Sequence, residues 1–365
     1  MLKSFIKAKR PDLTLLVLVI GISLFGLIMV YNASVMEAWQ LFSDKYHFLK
    51  LQSLWLVIGL FFMLVMTYIP LELVKKSAPV LLIINLVLLI AVLIPGIGSQ
   101  ALGARRWLNL GPFSPQPTEI TKLSLSIYLA AWLMKERSFW HYLLILALVL
   151  GLIMLQPDLG TAIVVVFSSI SVYYISGANL FKLFILGIGG GLSGIGLIFS
   201  SSYRKERLLT FLNPAHDPLG SSYHIRQALI AIGSGGLFGL GLGQSRQKYQ
   251  FLPQVTTDSI FAVIAEELGF IGAAVVIILL FVIIFHSFKI ARDSSDNFSR
   301  LLAAGIASWL AIQVVINLAA MLSLLPLTGV PLPFISYGGS SLIITLTGIG
   351  LLLNISRYHV GAKKR

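Results

Sequence analysis

The sequence predicts an all-α polytopic membrane protein with ten transmembrane helices, and three observations carry this prediction. Hydrophobic residues make up 57% of the 365 residues and charged residues only 11%, with a mean hydropathy of +0.91. A soluble domain carries about 25% charged residues, and this chain has too few polar groups to cover a water-exposed surface. The other two observations are ten apolar segments and an uneven distribution of lysine and arginine. Soluble enzymes, disordered chains and secreted disulfide scaffolds are excluded.

Ten segments are candidate spans, since a spanning helix needs about 20 mostly apolar residues. They cover 13–31, 53–70, 79–96, 117–133, 142–156, 160–176, 183–200, 260–288, 301–325 and 341–356. The fifth and sixth are short and separated by only a few residues around Pro157, which indicates a tight helical hairpin. The first span follows a basic stretch, as in a signal peptide, but it is too long and lacks an A-x-A cleavage site. We therefore interpret it as the first helix.

The lysines and arginines predict that both termini are cytoplasmic. Sixteen of the 27 lie on the side of the termini and four lie in the short loops opposite, and the positive-inside rule assigns the basic side to the cytoplasm. The sixteen are Lys3, Lys7, Lys9, Arg10, Lys75, Lys76, Lys135, Arg137, Lys182, Lys289, Arg292, Arg300, Arg357, Lys363, Lys364 and Arg365; the four are Lys45, Lys50, Arg105 and Arg106. The net charge of +13 is thus mostly a topology signal, and no nucleic-acid partner is required.

The segment 201–259 is predicted to be a large extracytoplasmic loop between the seventh and eighth spans. It is too long for a connector, and it holds six basic residues that a rule for short loops does not explain. Its middle, 223–242, is apolar and rich in glycine, which indicates a partly re-entrant or interfacial element. Irregular backbone at membrane depth must be buried in protein or line a wet cavity, so we expect this loop to form the wall of a cavity open to the outer face.

Acidic residues near that face are the first candidate site residues. Glu119 and Lys122 lie one turn apart in the fourth span, either as an ion pair that holds the bundle together or as part of the cavity lining. Asp158, at the outer hairpin, is most simply the N-cap of the sixth helix. Asp258 lies where the eighth span begins, where it could cap that helix or face the cavity.

Two glutamates deeper in the eighth span, Glu266 and Glu267, point in roughly opposite directions. At least one of them must find a basic or hydrogen-bonding partner inside the bundle, because an unpaired charge in the membrane is costly. We interpret both as structurally paired.

Basic pairs and a glycine-rich helix start are the candidate anion ligands. Arg105 and Arg106 could anchor the chain at the membrane interface or hold phosphate, whose oxygens guanidinium groups bind in pairs. Arg246 and Lys248 precede a turn that contains proline. The last outer loop, 325–341, contains three prolines and the candidate substrate-binding residues Ser336, Gly338 and Gly339. Its Gly-Gly-Ser-Ser helix start could offer backbone N–H groups to an anion or could simply cap the helix.

These features together fit glycosyl transfer from a lipid pyrophosphate. A groove open to lipid suits a substrate with a lipid tail, and cations or a metal ion suit its leaving pyrophosphate. A carboxylate suits removal of a proton from the acceptor hydroxyl. An ordinary aspartate, with a pKa of about 3.9, is a weak base, so positioning would have to supply much of the acceleration.

Five long segments are specific enough to indicate a family: GARRWLNLG at 103–111, QPTEITKL at 116–123, QPDLGTA at 156–162, IAIGSGGLFGLGLGQSRQK at 230–248 and PLTGVPLPFISYGGSS at 326–341. Through them the sequence resembles, over essentially its whole length, the SEDS family of bacterial cell-wall proteins, which includes FtsW, RodA and SpoVE. GARRW, GLGQSRQK and the YNAS at 31–34 are more similar to the FtsW/SpoVE branch than to RodA.

The resemblance implies a single SEDS-type membrane domain over 1–365 in the bacterial cytoplasmic membrane, with its active site on the extracytoplasmic side. It implies a peptidoglycan glycosyltransferase that polymerises lipid II and releases undecaprenyl pyrophosphate, in cell division or shape maintenance. The family's essential aspartate, in T-D-F-I-F, corresponds to Asp258, which is expected to deprotonate the 4-hydroxyl of the acceptor sugar. Glu119 and Lys122 match the family's charged pair. Four basic residues match positions assigned to pyrophosphate: Arg105, Arg106, Arg246 and Lys248.

The chain departs from the family around this aspartate. Members commonly read L-P-E-A-H-T-D-F, whereas this chain has Gln254, Thr256 and Ser259 in place of the glutamate, histidine and phenylalanine. The departures bear on the level of activity, on the preferred acceptor and on any divalent cation, Mg²⁺ or Mn²⁺, that the missing acid would hold. No organic cofactor is expected. The chain has no cysteine and no close pair of histidines, so thiolate chemistry and a zinc site are not indicated.

The resemblance also implies partners. These are lipid II and the growing lipid-linked glycan, a class B penicillin-binding protein with transpeptidase activity, and other divisome or elongasome membrane proteins. Two alternatives stay open: a lipid II flippase, which needs no chemical base, and a scaffold that only recruits its transpeptidase. The acids and cations near the outer face favour the enzyme.

Overall fold

The computed structural model describes residues 10–101, 104–109, 111, 114–134, 138–200, 202–213, 222–248 and 252–358. Parts of the motif at 103–111 and of the predicted loop at 201–259 lie outside these residues. So do eight of the sixteen topology charges: Lys3, Lys7, Lys9, Lys135, Arg137, Lys363, Lys364 and Arg365.

The described chain is almost entirely helical. The helices are α1 (Leu13–Phe42), α2 (His47–Tyr68), α3 (Leu71–Ala91), α4 (Pro117–Trp132), α5 (Phe139–Leu155), α6 (Leu159–Ile175), α7 (Leu180–Phe199), α8 (Ser202–Leu212), α9 (Tyr223–Ser234), α10 (Ile260–Arg292), α11 (Asn297–Met321) and α12 (Gly339–Ser356). Each predicted span overlaps one helix, and α8 and α9 fall within the predicted outer loop.

Six of these helices are long and apolar enough to cross a membrane: α1, α2, α3, α10, α11 and α12. The helices α5, α6 and most of α7 are apolar but shorter. The chain is therefore a multi-pass membrane protein, and the count of ten spans stays a prediction.

A two-stranded hairpin corrects the prediction of an all-α fold. β1 (Gly98–Ala101) pairs antiparallel with β2 (Ala104–Leu108), and Gly98 lies opposite Leu108. The third predicted span, 79–96, accordingly ended too late, because α3 stops at Ala91 and the apolar residues after it form turns that lead into β1. Strands of four and five residues are too short for an alternating pattern to stand out from an adjacent apolar helix.

The outer helices bury only one stripe each. In α2 the buried residues recur every three or four positions, which is the helical period; they are Gln52, Leu56, Gly59, Met63 and Thr67. The opposite face of α2 is apolar and exposed, with Val57, Phe61 and Leu64 about 60% accessible. On a surface helix in water that face would be polar, so its apolar character fits contact with lipid. The helices α11 and α12 bury most of their residues and form the centre of the bundle.

α10 is interrupted at Gly269, whose φ of 68° and ψ of −170° are not helical. The glycine-rich segment after α9 pairs with this interruption: Leu240 N and Gly241 N donate to the carbonyls of Glu266 and Glu267, each at 3.0 Å. Backbone groups freed by a break in a membrane helix must find partners within the protein. The segment predicted to be re-entrant or interfacial therefore supplies the hydrogen bonds that the interrupted helix lacks, and its depth in the bilayer stays a prediction.

Glycine allows α2 and α12 to approach closely. A Cβ built at Gly350 would lie 2.4 Å from the carbonyl oxygen of Met63, whereas one built at Gly21 of α1 would meet nothing within 4 Å.

We expect Gly350→Ala to lower the thermal midpoint of the purified protein in detergent by several degrees, because overpacking costs about 1–3 kcal/mol. Gly21→Ala is the matched control. It should leave the midpoint unchanged or raise it, since alanine has the higher helix propensity by about 1 kcal/mol. Equal shifts for the two variants would contradict the packing described here.

Candidate active site

A cavity of about 1790 Å³ opens at one end of the helical bundle. It is lined by the first residues of α2, α4, α6 and α12 and by the last residues of α7 and α11. The N-terminal parts of four helices and the C-terminal parts of two others therefore meet at this cavity.

The cavity has apolar walls and a polar part. The walls include Trp55, Ile163, Phe167, Ile198, Ile312, Val315 and Ile343. Phe167 is eight residues into α6, about 12 Å from its start at 1.5 Å per residue, so the apolar surface extends well along the helices. The polar part includes Asp258, Glu119, Arg106, Arg204, Arg207 and His224. Such a cavity can hold a molecule with an anionic head and a hydrocarbon tail.

Asp258 is half-buried directly before α10, and it lines this cavity. Gly329 lies beside this carboxylate, since a Cβ built on it would be in van der Waals contact with Oδ2 at 3.4 Å. Burial raises the pKa of Asp258 to about 6, although the positive charges of Arg207 and Arg106 pull the pKa down. The negative charge of Asp158 adds to the rise. A carboxylate with this pKa is a stronger base than an ordinary aspartate and is still ionised at pH 7.

Two carboxamides of α11 fix the backbone around Asp258. Asn317 Nδ2 donates to the carbonyl oxygen of Asp258 at 3.0 Å and to that of Val330 at 2.8 Å. One turn earlier, Gln313 Nε2 donates to the carbonyl oxygen of Pro331 at 2.9 Å. The last outer loop and the start of α10 are therefore held by one face of one helix.

Ser336 adds further hydrogen bonds between the last outer loop and the segment before α10. Its hydroxyl donates to the carbonyl oxygen of Thr257 at 2.6 Å and accepts from Leu332 N at 2.8 Å. Tyr337 N donates to the carbonyl oxygen of Thr256 at 2.9 Å. The hydroxyl of Ser336 is thus buried and engaged with backbone, which positions the loop, and its predicted role in binding substrate stays a prediction.

Glu119 and Lys122 form the ion pair that one interpretation predicted, and of the two only Glu119 lines the cavity. They form an ion pair at 2.7 Å, and Lys122 Nζ also donates to Gln313 Oε1 at 2.8 Å. Glu119 lines the cavity, whereas Lys122 lies behind it. The pair is thus continuous with the carboxamides that hold the loop.

Gly338 and Gly339 line the cavity, and their role in binding substrate stays a prediction. Gly338 N donates to Gln52 Oε1 at 3.3 Å, so this N–H is already engaged. A Cβ at Gly339 would lie 2.7 Å from the indole ring of Trp55, which is why the start of α12 requires glycine.

Asp158 is the N-cap of α6, and its role in binding substrate stays a prediction. Its carboxylate accepts from Thr161 N at 3.1 Å and from Thr161 Oγ1 at 2.8 Å. Gln116 and Thr118 also donate to it, each at 3.3 Å. Four donors leave this buried carboxylate little capacity for a ligand.

Arg246 and Lys248 are not part of the cavity lining, and their assignment to pyrophosphate stays a prediction. Lys248 Nζ pairs with Glu267 at 3.1 Å and donates to Asn32 Oδ1 at 2.7 Å. Arg246 N donates to a carboxylate oxygen of Glu266 at 3.0 Å, and the side chain of Arg246 is exposed. The buried glutamates of α10 need these partners, so the structural pairing predicted for Glu266 and Glu267 accounts for this segment.

Arg105 and Arg106 have different surroundings. Arg106 lines the cavity, and its guanidinium donates to the carbonyl oxygen of Gln156 at 3.0 Å and to that of Pro157. Arg105, the preceding residue of β2, is not among the lining residues. Alternation along a strand points neighbouring side chains to opposite faces, which explains why only one of the pair reaches the cavity.

Sequence reasoning missed Arg204, Arg207 and His224. The arginines lie in the first half of α8, three residues apart, and both line the cavity. They belong to the six basic residues of the outer segment that the topology rule left unexplained, and their spacing on a short helix was the signal that could have found them.

His224 connects the cavity to Ser259, one of the departures from the family. Its Nε2 lies 2.6 Å from Ser259 Oγ, and that hydroxyl donates to the carbonyl oxygen of Pro253 at 3.0 Å. With its single hydrogen used there, the serine accepts from the imidazole. Burial and the charge of Arg207 lower the pKa of His224 to about 4, so the ring is neutral at pH 7.

The described residues contain no group of three or more histidines, aspartates or glutamates that could hold a metal ion. Two described carboxylates line the cavity, Asp258 and Glu119, and Glu119 is paired with Lys122. The described part of the chain thus provides no preformed metal cage.

Comparison with known proteins gives consistent likenesses over the whole chain. A family model described as a cell cycle protein, for FtsW, RodA and SpoVE, matches residues 12–360. Stage V sporulation protein E of Bacillus subtilis is 42% identical over 360 residues, which cover 96% of this chain and 98% of that protein. A probable peptidoglycan glycosyltransferase FtsW of Trichlorobacter lovleyi is 42% identical over 355 residues, which cover 94% and 93% of the two chains.

Solved structures show the same likeness. A chain from a peptidoglycan synthase complex, described as coordinating polymerization and crosslinking, has a TM-score of 0.79 at 32% identity, and the match covers 95% of this chain and 98% of that one. The rod shape determining protein RodA of Thermus thermophilus has a TM-score of 0.71 at 31% identity, with 96% and 98% covered.

The buried pair of Lys248 and Glu267 generates a stability prediction. Lys248→Met should destabilise the protein by about 3–5 kcal/mol, because it leaves a buried carboxylate without its cation. Adding Glu267→Gln should recover part of this loss, and Arg246→Gln, at an exposed side chain, should change little. Thermal midpoints in detergent measure all three, and a larger loss for Arg246→Gln than for Lys248→Met would refute this division of roles.

Proposed function

The chain belongs to the FtsW/RodA/SpoVE family of peptidoglycan glycosyltransferases, and we propose that it polymerises lipid II into glycan strands with Asp258 as general base. The observation that carries the proposal is the position of Asp258 in a cavity with apolar walls, with the charges of Arg207 and Arg106 acting on its carboxylate.

The proposed reaction joins two lipid-linked substrates. Asp258 accepts the proton of the 4-hydroxyl of the acceptor's terminal sugar as that oxygen attacks the anomeric carbon of the donor chain. The bond from this carbon to the pyrophosphate breaks, and undecaprenyl pyrophosphate leaves with the bonding electrons. A base with a pKa near the working pH suits this transfer, and the burial that raises the pKa of Asp258 supports the assignment.

Negative charge develops on the leaving pyrophosphate, and fixed cations stabilise it without reorganisation. Arg106 suits this task because the carbonyl oxygens of Gln156 and Pro157 hold its guanidinium in place at the cavity. Glu119 lines the cavity and pairs with Lys122, which donates to Gln313 and so connects the pair to the last outer loop.

The proposed topology has ten spans and cytoplasmic termini, with the cavity at the outer face of the bacterial cytoplasmic membrane. In support, the described topology charges lie at the opposite ends of the helices from the cavity: Arg10, Lys75, Lys76, Lys182, Lys289, Arg292, Arg300 and Arg357. Short basic connections remain in the cytoplasm.

Partners and cations are also proposals. A class B penicillin-binding protein is the proposed transpeptidase partner, supported by the likeness to a chain of a peptidoglycan synthase complex, and other divisome or elongasome membrane proteins would join them. A divalent cation, Mg²⁺ or Mn²⁺, would have Asp258 as its protein carboxylate and would take other ligands from substrate phosphate and water. No step above depends on it.

Asp258→Asn should abolish polymerisation of purified lipid II, with or without a transpeptidase partner, because the amide cannot accept the proton. The thermal midpoint at pH 8 should stay or rise, since the fold disfavours the ionised carboxylate, as its raised pKa shows. Asp44→Asn, the same change in the connection between α1 and α2, is the control and should retain activity. Full polymerisation by Asp258→Asn would refute the role of base. No glycan from the unaltered protein with its partner would favour the scaffold.

The rate of polymerisation at saturating lipid II should rise with pH through about 6 and level off above it, since Asp258 acts as a base only when ionised. Arg207→Gln removes a positive charge that lowers this pKa, so it should move the midpoint to higher pH. A pH–rate profile measures both effects, and a midpoint that stays in place or moves to lower pH would contradict the electrostatic effect of Arg207 on Asp258.

A further inference from the structure

We propose that Arg204, in the first turn of α8, is a dedicated ligand for the pyrophosphate of a polyprenyl substrate. This inference rests on the proposed function for the identity of the substrate. It assigns a binding role to a residue that was not among the candidates from the sequence.

The guanidinium group of Arg204 has unsatisfied hydrogen-bond donors. Nε and Nη1 of Arg204 are both buried, and neither has an acceptor among the residues that the structure describes. Arg204 also forms no ion pair with a described carboxylate. Buried donors without acceptors are costly, and a phosphate group supplies negatively charged oxygens that accept hydrogen bonds from a guanidinium.

The side chain of Arg204 lines the large cavity. Arg204, Arg207 and Leu208 all line the large cavity, at the spacing of one helical face. Lys205 is exposed and is not part of that lining. The arginines therefore face the cavity by the geometry of α8, and the neighbouring lysine does not.

The electrostatic surroundings of Arg204 favour a bound anion. Arg204 lies in the first turn of an 11-residue helix, and the N-terminal end of a helix favours a bound anion. Arg207 donates to the carbonyl oxygen of Leu327 at 2.7 Å, which fixes a second positive charge on the same face.

The arginines of α8 line the same cavity as the proposed base and an apolar surface. Arg207 acts electrostatically on both Asp258 and His224, so the arginine face of α8 borders the base. Ile198 and Phe167, which line the same cavity, provide apolar surface for a polyprenyl tail. Pyrophosphate on Arg204 would place the donor's reacting carbon, one bond away, in the region that Asp258 faces.

The test measures binding without turnover. Geranylgeranyl pyrophosphate, the corresponding monophosphate and geranylgeraniol are titrated against the purified full-length protein in detergent. We expect the pyrophosphate to bind most tightly. Arg204→Gln should weaken pyrophosphate binding about tenfold or more and leave binding of the alcohol unchanged, and Arg204→Lys should give an intermediate loss because it keeps the charge without the guanidinium. Lys205→Gln removes the same charge one residue away and should behave as the unaltered protein.

Three outcomes would overturn the inference. These are equal losses in Arg204→Gln and Lys205→Gln, an unaltered protein that binds the alcohol as tightly as the pyrophosphate, or no loss in Arg204→Lys when Arg204→Gln fails to fold. Polymerisation of lipid II is assayed separately. If binding depends on Arg204 but no glycan forms, the proposed function fails and the binding site stands. If glycan forms but binding is independent of Arg204, only this inference fails.

Discussion

The side-chain amide of Asn317 connects two segments that border the cavity. By donating to the carbonyl oxygens of both Asp258 and Val330, it ties the start of α10 to the last outer loop. Gln313, on the same face, ties that loop to Lys122 and therefore to α4. Polar side chains inside a membrane bundle are costly unless they are paired. This network pairs them in a way that also fixes the backbone of the proposed base.

Buried charge is divided into two classes in this protein. Glu266 and Glu267 use loop N–H groups, Ser245 and Lys248 to neutralise their carboxylates, and they thereby fasten the glycine-rich segment to the interrupted helix. Arg204 forms no ion pair with a described carboxylate, and Arg204 and Arg207 both line the cavity. Glu266 and Glu267 find their partners in the adjacent segment 245–248.

Much of the fold followed from the sequence because apolar runs and topology charges are long, repetitive signals. Every predicted span overlaps a helix, and Asp258, Glu119, Arg106, Gly338 and Gly339 were predicted as candidates and do line the cavity. Other features depend on tertiary contacts that local patterns do not encode. The sequence could not show that Lys248 is used by Glu267, that Asp158 is saturated by four donors, or that β2 turns Arg106 but not Arg105 toward the cavity. Arg204 and Arg207 were visible as unexplained charges, but only α8 reveals their common face.

The hydrogen bond between His224 and Ser259 makes two distant parts of the chain interdependent. Replacing the serine by the phenylalanine common in relatives would remove the acceptor of a buried imidazole N–H and add a ring where a fully buried hydroxyl now fits. Grafting the consensus motif onto this chain would therefore require a compensating exchange at 224. The residues around Asp258 and the start of α9 therefore depend on each other. A chimera between relatives should take both segments from the same parent.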